Sequence, residues 1–288
     1  MTTTVPEVIG VREAGGTWAD DVRAIRVVWQ RELIRFGRSR IRILTSLAQP
    51  VIFLFVLGGG LSSIVPAAAG GRTDFRTFMF PGVLAMTVLF TAIFSAVSIV
   101  WDREFGFLRE MLVAPVSRGA LLFGKCLGGA SVATLQGSLM LVMAGLVHVP
   151  YTPLLLLVVL AEMALTAFVL TAFGMLVASR MAQVESFQFV MQLFVMPMFF
   201  LSGAVFPLHR LPRWLSVLTK IDPLSYAVDP MRRAVFSHLD APPALVATLN
   251  PGMTWNGWRL PTLVELAVVA ALGTMALAIA IIRFSRVD

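Results

Sequence analysis

Residues 43–64 contain no Asp, Glu, Lys or Arg, and the same holds for 77–101, 126–161 and 186–208. A helix crosses the roughly 30 Å hydrocarbon layer of a bilayer with about 20 apolar residues, so each run is long enough to span. The run 126–161 is too long for one crossing. It is interrupted by His148-Val-Pro150-Tyr-Thr-Pro153, where the two prolines favour a turn. This gives spans at about 43–64, 77–101, 121–148, 153–179 and 186–208. A sixth covers 261–282, with Glu265 near its start. The expected fold class is all-α, a polytopic membrane protein of six transmembrane helices.

Composition agrees with that reading. The chain of 288 residues is 58% hydrophobic and 14% charged, with a mean hydropathy of +0.84. Soluble domains run near 45–50% apolar and about 25% charged. Disorder is excluded by the same figures. The net charge of +7 would point to nucleic acid in a soluble protein. Here it is assigned to the lipid surface, and no nucleic-acid partner is expected. Cys126 is the single cysteine, so an intrachain disulfide and a thiolate cluster are excluded. His148, His209 and His238 are scattered, and no metal site is expected.

Six spans place both ends on one side. Basic residues number fifteen on that side and eight on the other. The positive-inside rule makes both termini cytosolic. The first apolar run starts only at Ile43 and is long enough to span, so no cleaved secretory signal is expected. The domain reading is a cytosolic segment at 1–42, a membrane domain at 43–282 and a cytosolic tail at 283–288.

Trp18, Val22, Ile25, Trp29, Leu33 and Phe36 recur at helical spacing and form one apolar stripe. Thr17 suits the N-cap, and Asp20 and Asp21 suit the positive end of the helix dipole. Such a helix lies in the membrane interface with its arginines at the phosphates. Its polar face, including Arg31 and Glu32, is also placed to receive a cytosolic partner.

The loop after the second span reads Trp101-Asp-Arg-Glu-Phe-Gly-Phe-Leu-Arg-Glu-Met-Leu-Val-Ala-Pro-Val-Ser-Arg118. Charged and apolar residues interleave over about ten positions, which predicts a short helix ended by Pro115. Its exposed apolar residues need either a partner surface or the lipid interface. Nearby, Gly119-Ala-Leu-Leu-Phe-Gly-Lys-Cys126 matches most of a phosphate-binding loop but has Cys126 where the Ser or Thr belongs. It begins an apolar helix instead of following a strand, so it is set aside as a nucleotide site. Lys125 is expected to snorkel to the interface.

Three stretches together resemble the ABC transmembrane type-2 permeases, closest to the daunorubicin-resistance branch. They are Phe80-Pro-Gly-Val-Leu-Ala-Met-Thr-Val-Leu-Phe, the 101–118 loop with Leu122-Phe-Gly-Lys125, and a later block. That block holds Leu201-Ser-Gly-Ala-Val-Phe-Pro207, Leu211-Pro-Arg-Trp-Leu215 and Asp222-Pro-Leu-Ser-Tyr-Ala-Val-Asp229. The resemblance runs from about Arg26 to the end. The family often has Gly-Thr at Gly106-Phe107, and Asn-Pro-Leu-Thr-Tyr at 222–226.

The resemblance implies the permease subunit of an ATP-driven exporter of an amphipathic drug, lipid or glycan. It implies pairing with a second copy or a paralogous permease, in the cell membrane. Separate ATPase subunits would bind the cytosolic side and hold the ATP and magnesium, leaving no cofactor in this chain and no enzymatic activity of its own. It makes 103–112 a coupling helix, 18–36 an interfacial connecting helix, and 208–240 short helices that dip into the outer leaflet. Contact with the ATPase would then fall to Arg103, Glu104, Phe105, Gly106, Leu108, Arg109 and Glu110, with Arg31 and Glu32.

For the substrate path, the expected residues are Glu162, Gln188, Gln192, Met196 and Phe199. Glu162 is a carboxylate inside the fourth span, which is costly and points to function. The fifth span is rich in Met and Phe, which suits a tolerant apolar surface. Pro197 should weaken or kink it. Gly124-x-x-x-Gly128 permits close helix approach. Two other functions make different demands on the sequence. An ion-gradient transporter would show paired intramembrane charges and inverted repeats. An anchor or assembly subunit would carry no substrate of its own.

Overall fold

A computed structural model describes residues 17–64, 75–106, 116–208, 211–239, 246, 249–250, 252–255 and 257–285. The expected residues Leu108, Arg109 and Glu110 lie outside them, as do the rest of 107–115.

Helix α1 spans Trp18–Arg38. The Asp20 carboxylate accepts from the backbone N–H and the hydroxyl of Thr17, at 3.0 and 2.6 Å. These bonds hold the Asp20 carboxyl below its ordinary pKa. Helix α2, Arg40–Ile52, continues through a π-helical turn at Phe53–Leu57 into α3, Gly58–Ile64. Pro50 lies three residues before that turn and cannot donate to the ladder.

Helix α4, Phe75–Ser95, is almost wholly buried, and α5, Val97–Glu104, extends it. Helix α6, Arg118–Leu141, runs on through a 3-10 turn at Val142–Val147. His148 then adopts φ 61° and the chain reverses into α7, Pro153–Ala178. Tyr151 Oη fastens this turn, donating to Val142 O and accepting from Gly145 N. Helix α8 is Val184–Leu201.

Two short helices follow, α9 at Arg213–Ile221 and α10 at Ser225–Phe236. A two-residue hairpin pairs β1, Thr254–Trp255, with β2, Trp258–Arg259. Helix α11, Thr262–Ser285, ends the described chain.

Six helical stretches are long and apolar enough to cross a membrane: Ile43–Leu61, Phe75–Glu104, Arg118–Val147, Pro153–Ala178, Val184–Leu201 and Thr262–Phe284. The chain is therefore an all-α polytopic membrane protein. Helix α4 is the centre, packed on α6 and α7, with α11 against α7. The spans in α2 and α8 are the least buried within the chain.

The fifth span ends earlier than the apolar run suggests. After Leu201 the chain turns, with Gly203 at φ 75° and Ser202 Oγ accepting from Ala204 N at 3.3 Å. The carbonyl of Gly203 is taken by the Arg232 guanidinium. A helix continuing to 208 would forfeit that bond. Pro197 is accommodated inside the continuous α8.

The turn after Leu201 rests on α4 at Gly82. A Cβ there would meet Ala204 O at 2.4 Å and Ala204 Cα at 2.6 Å. Two stretches of the family resemblance, far apart in sequence, thus touch through a missing side chain. Arg232 also lies over the Phe78 ring, 4.3 Å from its centroid.

Candidate functional site

One end of the bundle is held by charges from three elements. Asp102 of α5 pairs with the buried Lys125 of α6. Lys125 Nζ also reaches the carbonyl and hydroxyl of Ser98, each at 3.4 Å. It points inward to these groups, so the expected snorkelling is replaced by a buried ion pair. Arg31 of α1 joins at 3.6 Å to Glu32 and 3.9 Å to Asp102.

Helix α1 reaches this cluster because α6 has no side chains at Gly124 and Gly128. Ile25 and Val28 sit over Gly124, and Glu32 over Gly128. Trp29 Nε1 donates to Ser131 Oγ at 3.0 Å, and Asp21 accepts from Ser117 N at 2.7 Å. Part of the expected apolar stripe is thereby directed at α6, while Trp18 and Val22 remain exposed.

Arg103 and Glu104 face the turn between α7 and α8. Arg103 Nη1 donates to Ser179 O at 3.2 Å and Met181 O at 2.8 Å. It thus serves the orphan carbonyls at the end of α7. Glu104 Oε2 accepts from Val184 N, the first residue of α8, at 2.9 Å. Both side chains therefore have structural roles within the chain. Beyond them Phe105 is 67% exposed, and Gly106 takes φ 81° with open space around it.

A cavity of about 500 Å³ lies between α1, α2, α4, α5, α6 and α8. Glu32 and Arg35 line it from α1, and Ser46, Gln49 and Pro50 from α2. Phe90, Phe94 and Trp101 supply aromatic walls, and Gln188 closes it from α8. Arg35 stands over Trp101, 5.0 Å from the ring centroid. Size and lining, apolar with a few polar groups, suit a small-molecule site.

Of the expected path residues, only Gln188 lines this cavity. Gln192 is exposed on α8 and Met196 is half-buried. Phe199 is buried edge-on against Phe53 and Phe200. Glu162 is buried on α7, with Oε2 lacking a hydrogen-bond partner among the described residues.

The opposite end carries a second cluster that sequence reasoning missed. Asp229 and Arg233 of α10 pair one turn apart, and Arg233 Nη2 donates to Glu265 of α11 at 2.7 Å. Asp229 accepts from Met253 N at 3.0 Å, and Arg233 Nη1 donates to Leu260 O at 2.7 Å. This latch fixes α10 and the hairpin segment to the last span. Its sequence signal was an acid and an arginine at i, i+4 within Ser225–Phe236.

Asp222, before α10, accepts from Leu224 N at 3.0 Å and Ser225 Oγ at 3.3 Å. Burial pushes its carboxyl up to about 7 against those two bonds.

A family model described as ABC-2 type transporter matches residues 23–236. The chain belongs to the ABC-2 type transporter family. Members are membrane subunits of ABC transporters that work with a separate ATP-binding subunit. Nodulation protein J of Rhizobium leguminosarum bv. trifolii is 31% identical over 215 residues, covering 73% of this chain and 80% of that protein. The putative transport permease ycf38 of Cyanophora paradoxa is 26% identical over 219 residues, 75% of each chain. The probable multidrug ABC transporter permease YbhR of Escherichia coli K12 is 30% identical over 158 residues, 54% of this chain and 43% of that one. The family match begins within α1 and ends with α10. It therefore takes in the charge cluster, the 500 Å³ cavity and the Gly82 contact.

Proposed function

We propose that this ABC-2 type subunit is the permease half of an exporter driven by ATP hydrolysis on separate cytosolic ATPase subunits. It pairs in the cell membrane with a second copy or a paralogous permease, both termini cytosolic, and passes an amphipathic drug, lipid or glycan outward. The supporting observation is the arrangement at the end of α5. Arg103 and Glu104 bind the α7–α8 turn, and Asp102 binds α6 with Arg31 of α1 close by. Force applied beyond Glu104 therefore reaches five helices at once, through ion pairs and helix caps. The exposed Phe105 stands at the point where an ATPase would press.

In this reading Arg103 and Glu104 transmit the movement, while Phe105 and the following 106–110 make the contact. Arg31 and Glu32 brace α1. The cavity between α1, α2, α5 and α8 is the inner entrance of the path, reached by Gln188.

The test is co-purification of a co-expressed ATPase with the Phe105→Asp variant. Phe105 caps α5 through its backbone N–H alone and its side chain is exposed, so the variant should insert and melt normally. ATPase recovery should fall about tenfold, and ATP-dependent uptake of an amphipathic dye into inverted vesicles should fall with it. Unchanged recovery and uptake would remove this face from the coupling mechanism.

A further inference from the structure

The charge bookkeeping around the inner cavity is unbalanced at one residue. Glu32 and Asp102 are the acids beside it, and each has a basic group close by. Arg31 lies 3.6 Å from Glu32 and 3.9 Å from Asp102, and Lys125 pairs with Asp102. Arg35 is the remaining cation. Among the described residues its guanidinium has no carboxylate partner and no hydrogen bond, only the face of Trp101 beneath it. Gln49 and Gln188 also line the cavity, and neither side chain is hydrogen-bonded among the described residues. One guanidinium and two carboxamides are thus free to donate into the same space. A guanidinium matches phosphate or carboxylate oxygens better than any neutral group.

The rest of the wall is apolar. Phe90 and Phe94 stack with centroids 6.2 Å apart, and Phe36 and Pro50 line the same space. A cationic ligand would meet Arg31 and Arg35 beside Glu32, whose Oε1 has no hydrogen-bond partner among the described residues, and an Asp102 engaged by Lys125. A soluble anion would leave the aromatic walls wet. The combination fits a molecule with an anionic head and an apolar body.

We propose that the cavity binds an anionic phospholipid-like amphipath from the inner leaflet, with its phosphate on Arg35 and its apolar body against Phe90 and Phe94. This names the substrate class at the entrance proposed above and rests on that reading. Gln49 and Gln188 donate to the remaining head-group oxygens. About 500 Å³ holds a head group and the start of an apolar chain, and the remainder lies in the bilayer.

The test uses the full chain in phosphatidylcholine nanodiscs, without an ATPase. Each preparation carries a small fraction of a phospholipid with a photoreactive acyl chain, either phosphatidylglycerol or phosphatidylcholine of the same chain. Adducts are mapped by peptide mass spectrometry. The 45–50 and 90–101 segments should take the anionic probe about tenfold more than the zwitterionic one, because both carry the phosphate but only the second brings a choline cation close to Arg35 and Arg31. Adducts at the exposed Leu154 and Leu157 of α7 should show no such preference and report intact folding. Arg35→Gln should bring the cavity labelling to parity, and Arg35→Lys should retain most of the preference.

Equal labelling by both probes, or a preference that survives Arg35→Gln, overturns the anionic assignment while leaving the entrance standing. No labelling of the cavity by either probe removes the entrance too. Loss of labelling when glycerol phosphate is added at the same concentration would mean that a free phosphate occupies the site, and would refute a lipid ligand.

Discussion

Replacing Gly82 by alanine tests the joint between α4 and the turn that follows α8. The added Cβ would lie 2.4 Å from Ala204 O, 2.6 Å from Ala204 Cα and 2.7 Å from Ala204 Cβ. Comfortable carbon contacts begin near 3.5 Å, so α4 and the 202–204 turn must part by about 1 Å. The atoms in the way are backbone, and the turn is tied down by Arg232 on Gly203 O and by Ser225 Oγ on Leu201 O. Overpacking of this kind costs about 1–3 kcal/mol, and a backbone obstacle puts it at the upper end. Alanine returns about 1 kcal/mol through its better helix propensity. The net loss is about 2 kcal/mol, equivalent to a fall in melting temperature of about 4–8 °C if the scale for soluble domains of 150–250 residues carries over. The single Cys126 is fully buried, so a thiol-reactive fluorogenic dye reports melting of the detergent-solubilised chain. Gly37→Ala on α1, where nothing lies within 4 Å of the added atom, is the control and should lose no stability. A Gly82→Ala protein that melts with the wild type would refute the contact between the turn and α4.

Arg233→Met leaves Asp229 and Glu265 buried without their shared cation, at an expected loss of about 3–5 kcal/mol. Adding Asp229→Asn and Glu265→Gln should recover much of it in the same thiol-dye melt, and no recovery would contradict the latch. Gly124→Leu would drive α1 off α6, since even a Cβ there meets Ile25 O at 3.0 Å and Val28 Cβ at 3.1 Å. Tryptic cleavage after Arg31 and Arg35 should accelerate about tenfold over wild type, and an unchanged digest would count against the packing. Asp222, pushed up to about 7 in the fold from near 3.9 when unfolded, holds a proton that the unfolded chain releases. Its contribution to stability is complete below about pH 4 and is lost as pH rises through about 7. Relative to Asp222→Asn, wild type should lose melting temperature across that window and then level off. A difference that stays flat from pH 4 to 8 would show that Asp222 does not titrate this way.

Six spans, the α1 helix with its Thr17 start, and the family were all legible in the chain itself. Each rests on local information: the length of an uncharged run, helical periodicity, or residues close together in sequence. The site was legible only in part. Gln188 was singled out and lines the cavity, whereas Gln192, Met196, Phe199 and Glu162 do not. Helical spacing locates a polar residue on a span but not which neighbour that face meets. Arg103 and Glu104 carry in sequence only the charge pattern of a contact loop, and that pattern does not encode their bonds to backbone groups some 80 positions away.

Sequence alone determined that this chain lives in a bilayer, because hydrocarbon leaves uncharged runs of that length no other solvent, and its residue strings determined the family. Tertiary structure decided which charges are neutralised and which are left over. Asp102, Lys125, Arg31 and Arg35 are all simply charges near a membrane surface in the sequence. Only the packing of α1 onto Gly124 and Gly128 pairs three of them and leaves Arg35 facing a cavity. Likewise, the bond of Arg232 to Gly203 O and the close approach of Gly82 to Ala204 hold the turn that ends the fifth span at Leu201, since a Coulomb partner or a steric limit exists only once distant segments share the same few ångströms.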